Sequence, residues 1–288
     1  MKLQLLVISI LKFNGACSVM QKKPALTELQ VQPKQTYNLV LSEKTPRRER
    51  TRFFSSTQTK TFEKDQLVHE KDEVVDFTVD VTILGKDPTY GGVKQKVVVI
   101  DKDGPVDLHE MAFPEVGEEL EIIFSKNAKV IRAGAYPRDS IFYVSPVSLP
   151  ERPVKVGDTW EMAEEWSSQP NGVPLRIELV TIFKSVYQGP KGPLAYLEIS
   201  GTTKFPSSMP GVRFDSDVRG HLLFAINEGT LVWGYIRNAE KLVTADNQIL
   251  VESCLVSGLM SPKTEVWSEL AHPKCTPHDQ PPELPPGV

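Results

Sequence analysis

The sequence lacks the motifs that identify most enzymes, metalloproteins and nucleic-acid-binding proteins. It contains no Gly-x-Ser-x-Gly nucleophile turn, no phosphate-cradling glycine loop and no Cys-x-x-Cys pair. Its five histidines do not fall at metal-ligand spacing, and neither charge dominates, with 33 Lys and Arg against 37 Asp and Glu. We therefore predict a non-enzymatic protein without metal, cofactor or nucleic-acid partner.

Long apolar runs are also missing, since no run reaches the about 20 residues that a membrane-spanning helix needs. Residues 3–11 (LQLLVISIL) form a short apolar core after Met1-Lys2, which is typical of a secretory signal peptide. The next residues, Asn14-Gly15-Ala16-Cys17, resemble the lipobox of bacterial lipoproteins, in which the cysteine is diacylated and becomes the mature N-terminus. A plain cleaved secretory signal and an unprocessed N-terminal segment are the alternatives.

The lipobox resemblance implies a compartment and an anchor. It implies a signal peptide over residues 1–16, lipidation of Cys17 and attachment to a bacterial membrane through that lipid. Ser18 follows the cysteine, which by the sorting habit of Gram-negative lipoproteins implies the outer membrane, with the folded part facing the periplasm or the cell surface.

Cysteine is scarce, with three residues in the chain. If Cys17 carries lipid, Cys254 and Cys275 remain as a pair in an oxidising compartment. A disulfide between them would close a loop of about 20 residues and stabilise the fold by about 3 kcal/mol through loop-closure entropy. The alternative is that Cys254 is a small buried apolar residue and Cys275 an exposed thiol.

Helical periodicity is weak, whereas apolar and polar residues alternate in many segments. Residues 76–84 (DFTVDVTIL) place Phe77, Val79 and Val81 on one side of an extended strand. Residues 212–227 (VRFDSDVRGHLLFAIN) alternate over a length that suggests a bend near Gly220. We predict an all-β, mainly antiparallel fold with little helix.

The two halves of the chain resemble each other in three blocks. Residues 36–44 parallel 159–166, residues 81–100 parallel 180–199, and residues 120–134 parallel 221–235. The blocks predict two similar curved sheets or half-barrels from a duplicated unit of about 100 residues. One continuous meander with chemically similar turns is the alternative.

The predicted organisation has five parts. Residues 1–16 are the signal peptide, 17–35 a flexible tether, 36–148 the first β unit, 149–270 the second β unit, and 271–288 a proline-rich disordered tail. The arginine-rich stretch PRRERTR (46–52) is interpreted as a solvated loop and edge strand, whose charges deter edge-to-edge pairing. Binding of anionic lipid headgroups or cell-wall phosphate is its alternative role.

The string LPERPVKVGDTWE (149–161) is similar to one found in uncharacterised exported bacterial proteins, many of them lipoproteins. That resemblance implies an envelope protein without an agreed activity. The predicted architecture also resembles, more weakly, the LolA-like carriers of the periplasm, which are half-open β-barrels that bind lipid chains on a concave apolar face.

Two functions follow from these patterns. The first is a structural or interaction module of the cell envelope that contacts a protein partner. The alternative is a carrier that binds a lipid or other apolar ligand on one face of a curved sheet. The ligand face would include Phe77, Val81, Phe214, Leu222 and Phe224.

The lipid anchor predicts a defined mature N-terminus. Intact mass and N-terminal peptide analysis of protein from its native host should give a chain that begins at Cys17 with added acyl mass. A chain that still begins at Met1 without modification would contradict both export and lipidation.

Overall fold

The computed structural model describes residues 26–44, 47–168, 172–207 and 210–260. The strands are β1 (Thr27–Glu28), β2 (Arg47–Glu63), β3 (Gln66–Lys86), β4 (Val93–Asp103), β5 (Glu119–Phe124), β6 (Val130–Ala133), β7 (Thr159–Ser167), β8 (Pro174–Gly189), β9 (Gly192–Lys204), β10 (Arg213–Ala225), β11 (Thr230–Val243) and β12 (Asn247–Leu259). Two short 3₁₀ helices span Leu108–Met111 and Ile141–Tyr143. Within the described ranges, no helix has the length and apolar character needed to cross a bilayer.

All twelve strands belong to one open, curved antiparallel sheet. Its order is β1-β8-β9-β10-β11-β12-β2-β3-β4-β5-β6, and β7 pairs with the other half of the β8 edge. Each half of the chain forms a meander, and β12 joins the two meanders by pairing with β2 from Asn247 opposite Glu63 to Leu259 opposite Thr51. The predicted all-β antiparallel fold is confirmed, but the sheet is continuous instead of divided into two.

The predicted duplication is not confirmed. Two of the three sequence blocks fall on equivalent hairpins, because 81–100 and 180–199 cover β3–β4 and β8–β9, while 120–134 and 221–235 cover β5–β6 and β10–β11. The first block does not match. Residues 159–166 lie in β7, whereas 36–44 form no strand and make one isolated bridge between Tyr37 and Val154.

The sheet has two faces of different character. We call the face that carries Phe53, Phe77, Leu222 and Phe224 the packed face, because connecting segments cover it. The covering side chains form what we call the loop layer: Leu39, Leu108, Phe142, Val147, Leu149 and Val154. We call the opposite face, which carries Arg50, Asp80, Tyr196 and Trp233, the second face.

The loop layer is held to itself and to the sheet by backbone hydrogen bonds. The Tyr37 amide donates to the Val154 carbonyl at 2.7 Å, and the Val154 amide donates back at 2.9 Å. The Leu41 amide donates to the Lys126 carbonyl at 2.8 Å, and the Trp160 indole donates to the Ser148 carbonyl at 2.9 Å. These bonds satisfy polar backbone groups that would otherwise be buried without partners.

Gly220, near which the sequence predicts a bend, packs closely against β11. A Cβ at this position would lie 2.6 Å from the Tyr235 carbonyl oxygen, which is closer than a side-chain carbon can approach. The irregularity of β10 falls later, where its register with β11 shifts between Leu223 and Phe224. Glycine therefore allows the close approach of β10 to β11.

Leucine truncation should separate buried from exposed positions. Leu222→Ala removes a side chain that is 1% exposed, so it should lower the free energy of unfolding by about 2–5 kcal/mol. The matched control Leu67→Ala, at a residue that is 50% exposed, should stay within about 0.5 kcal/mol of wild type. Urea denaturation measures both, and equal losses would contradict the assignment of Leu222 to the core.

Candidate functional site

The structure places all five residues of the predicted ligand face on the packed face. Phe77, Leu222 and Phe224 are fully buried beneath the loop layer, and Val81 packs at the margin of the same core. Phe77 is stacked on Phe53 with ring centroids 5.0 Å apart. Within the described residues, neighbouring side chains occupy the space around Phe77, Leu222 and Phe224. These three residues therefore do not line a cavity.

Phe214 stands apart from the other four. It is half-buried in the outer part of β10 and contacts Phe205, with ring centroids 5.0 Å apart. It belongs to neither cluster beneath the loop layer. The five residues thus share a face but do not form one site.

A small cleft lies beside the packed core, next to β1 and β8. Its volume is about 260 Å³, and its lining includes Leu29, Val31, Lys155, Val156 and Val186. Drug-sized ligands usually occupy pockets of about 300–1,000 Å³. The cleft is therefore small for an acyl chain.

The structure describes one of the three cysteines. Cys254 lies on β12, is buried and is disulfide-bonded. Cys17 and Cys275 both lie outside the described residues. The lipidation of Cys17 and the pairing of Cys254 with Cys275 remain predictions.

The second face carries a ladder of arginine–aspartate pairs across β2 and β3. The antiparallel register sets Arg50 opposite Asp80, and directly opposed residues project from the same face of a sheet. Arg50 donates to both carboxylate oxygens of Asp80, from Nε at 2.7 Å and from Nη2 at 2.9 Å. Arg48 donates to the same carboxylate, and Arg52 forms an equivalent pair with Asp76.

This ladder corrects the interpretation of PRRERTR as an edge strand. Strand β2 lies in the interior of the sheet, between β12 and β3. Arg48, Arg50 and Arg52 are paired with aspartates of the neighbouring strand, and Arg47 pairs with Glu49, so none of them guards a free edge. Sequence alone could not show this, because the aspartates lie about 30 residues along the chain.

The ladder changes the acidity of the groups that form it. Hydrogen bonds from Arg50, and then from Arg48, hold the pKa of Asp80 below its usual value, although burial opposes that shift. The same bonds raise the pKa of Arg50. On the packed face, burial outweighs the neighbouring positive charge. Burial raises the pKa of Glu49, although the charge of Arg47 acts to lower it.

The second face also carries a set of aromatic residues that sequence reasoning missed. We call Tyr196, His221, Trp233 and Tyr235 the aromatic patch. Tyr196 and His221 are stacked, with ring centroids 5.5 Å apart, and the Tyr196 hydroxyl lies 2.9 Å from His221 Nδ1. Burial raises the pKa of the Tyr235 hydroxyl.

Register explains how the aromatic patch forms. Tyr196 is opposite Leu223, Leu223 is opposite Trp233, and His221 is opposite Tyr235. The residues come from three strands, and their order across the sheet cannot be read from the sequence alone. The available signal was the alternation of Tyr and Trp in β9 and β11, and His221 is half-buried.

Metal binding finds no support in the described part of the chain. No group of three or more His, Cys, Asp or Glu side chains converges there in a way that would hold an ion.

The Asp80 pairing predicts a pH-dependent contribution to stability. Asp80→Asn leaves two guanidinium groups beside a neutral amide, so it should lower the free energy of unfolding at pH 7 by about 1–2 kcal/mol. Because the folded pKa of Asp80 lies below the unfolded value of about 3.9, this contribution is complete above that value. It should disappear as the pH falls through the folded pKa.

Urea denaturation at pH 7 and at pH 3 measures this difference between the two proteins. Asp217→Asn is the matched control, because Asp217 also pairs with an arginine but its side chain is 54% exposed, compared with 5% for Asp80. The control should change stability by less than about 0.5 kcal/mol at both pH values. A pH-independent loss in Asp80→Asn would contradict the ion-pair explanation.

Comparison with known proteins leaves the family open. No family model matches the chain, and no curated protein matches it. One similar solved structure is DynF from the dynemicin biosynthesis pathway of Micromonospora chersina, at 9% identity and a TM-score of 0.21. The match covers 84% of this chain and 98% of DynF, and at that TM-score it carries no argument about fold or function.

Proposed function

We propose that this protein is a non-enzymatic, exported module of the bacterial envelope, anchored by lipid at Cys17, which contacts a protein partner through its second face. One observation favours an interaction module over a lipid carrier: the loop layer fills the packed face. Phe77, Leu222 and Phe224 contact the loop layer instead of lining a cavity. A carrier needs apolar volume for its ligand, and these residues supply none.

The arginine–aspartate ladder gives the second face a chemistry suited to protein recognition. Asp80 is buried and accepts bonds from two arginines, so it fixes the orientation of their guanidinium groups. The Arg48 side chain is nevertheless 67% exposed, and a guanidinium has five N–H donors. Arg48 can therefore donate to a second carboxylate, one supplied by a partner, at little cost in side-chain ordering.

Further charges extend this surface across β4 and β5. Lys96 pairs with Glu119 at 2.9 Å and Lys94 pairs with Glu121 at 2.9 Å. A surface of alternating fixed charges favours a partner with the complementary pattern and disfavours others, so it supports specificity more than affinity.

The test is photo-crosslinking in the native host. With p-benzoylphenylalanine in place of Lys96, next to the ladder, irradiation should give a discrete adduct with one envelope protein. Adding Arg48→Glu should lower the adduct yield by about fivefold or more, because it replaces an attractive charge with a repulsive one. The matched control Arg213→Glu changes an arginine that is 76% exposed at the start of β10, which β11 and β12 separate from β2, and it should leave the yield unchanged.

Two results would contradict the proposal. The first is the absence of any adduct from position 96. The second is about one mole of extractable lipid per mole of a secreted Cys17→Ser variant, which carries no lipid anchor and should contain lipid only if the protein is a carrier.

A further inference from the structure

Strand β7 lies at an edge of the sheet and pairs only with β8 among the described strands. At its start, the Asp158 carbonyl accepts from the Phe183 amide of β8 at 3.0 Å. At its end, Ser167 donates its amide away from β8, to the Asp139 carbonyl, at 2.6 Å. Because backbone groups alternate in direction along an antiparallel strand, the even-numbered residues of β7 bond to β8 and the odd-numbered residues face outward.

Three successive outward positions are open: Glu161, Ala163 and Glu165. Within the described ranges, their amides and carbonyls make no backbone hydrogen bond, and all three residues are exposed. They extend over about 13 Å of the edge. A row of unpaired N–H and C=O groups is a template on which another strand can add.

The edge is held in its strand conformation from the packed face. The Ser145 hydroxyl donates to the Glu164 carboxylate at 2.6 Å, and the Trp160 indole donates to the Ser148 carbonyl at 2.9 Å. Trp160 packs against the core beneath the loop layer, and Glu164 projects to the same side because it lies four residues further along the strand. A partner therefore meets an ordered edge, which lowers the entropy cost of binding.

The side chains of this edge are mainly acidic. Strand β7 carries three glutamates and neither lysine nor arginine. Glu165 pairs with Arg176 at 2.7 Å, but Arg176 also pairs with Glu178 at 2.8 Å, and Lys204 pairs with Glu178 at 2.7 Å. The two cations are thus shared among more carboxylates than they can neutralise, and the edge stays negative.

These charges disfavour a second copy of β7 as the occupant. In antiparallel pairing about a two-fold axis at Ala163, Glu161 of each copy would lie opposite Glu165 of the other, and like charges in that position are destabilising. The same spacing favours a strand with Lys or Arg at positions i and i+4. Ala163 has a small side chain, so it leaves space for a larger residue at position i+2.

We propose that the β7 edge binds an extended segment of a partner protein by strand addition, and that this segment carries Lys or Arg at two positions four residues apart. Main-chain bonds to Glu161, Ala163 and Glu165 supply affinity, and the two carboxylates select the basic side chains. The site is separate from the arginine–aspartate ladder, because strands β8 to β12 lie between β7 and β2. It requires neither export nor the partner proposed above.

The experiment titrates the full, ¹⁵N-labelled chain with the end-blocked peptide Thr-Lys-Thr-Val-Thr-Lys-Thr and follows the backbone amide signals by NMR. The amides of Glu161, Ala163 and Glu165 should shift together and give one Kd. A peptide with Glu in place of both lysines should bind about tenfold more weakly, because two attractive cross-strand pairs become repulsive.

Variants of the edge test the two parts of the proposal. Ala163→Pro removes one outward N–H without touching the bonds to β8, so it should weaken binding of the lysine peptide about fivefold. Ala163→Thr keeps the N–H and should retain wild-type binding. Glu161→Lys should weaken the lysine peptide and strengthen the glutamate peptide, whereas the control Glu252→Lys, at a 58% exposed side chain on β12, should change neither.

Four results would overturn the proposal: no binding of the lysine peptide, equal binding of both peptides, shifts centred on strands other than β7 and β8, or shifts of the edge amides on raising the protein concentration alone. The last result would identify a second copy as the occupant. Arg48→Glu should leave peptide binding unchanged, so the outcome here is independent of the test of the ladder.

Discussion

The pairing of β12 with β2 is the constraint on which the rest of the structure depends. It joins two meanders into one sheet over the full length of β12. On the packed face, a row of opposed residues runs through Leu222, Gly234, Ser257, Phe53 and Phe77, and it crosses this junction. Without the pairing, each meander would keep a long free edge, and the loop layer would have no continuous surface to cover.

Local patterns were sufficient to predict the two segments with the clearest alternation as strands and to show which of their residues share a face. The alternation in 76–84 and in 212–227 correctly placed Phe77 and Leu222 on one side, because side-chain direction in a strand follows from position alone. Which strands pair with each other could not be predicted from these local patterns. PRRERTR has the composition of a solvated edge, yet its strand is interior, since β2 pairs with a strand about 190 residues later.

The same limit governs the candidate sites. Segment 36–44 was placed in the first β unit by its similarity to 159–166, but its apolar residues belong to the loop layer, so the filling of the packed face was not predicted. The aromatic patch was missed because its rings come from three strands and meet only through register. The two faces consequently differ: the packed face is filled by the loop layer, and the second face carries the ordered charges of the ladder and the buried rings of the aromatic patch.

The pairing of β12 with β2 can form only after most of the chain has been synthesised. Strand β2 is synthesised early, whereas β12 is the last strand within the described residues. Until β12 emerges, one edge of β2 has no partner, and charged side chains on an unpaired strand disfavour its pairing with other chains. In the finished sheet three arginines of this strand, Arg48, Arg50 and Arg52, form half of the ladder.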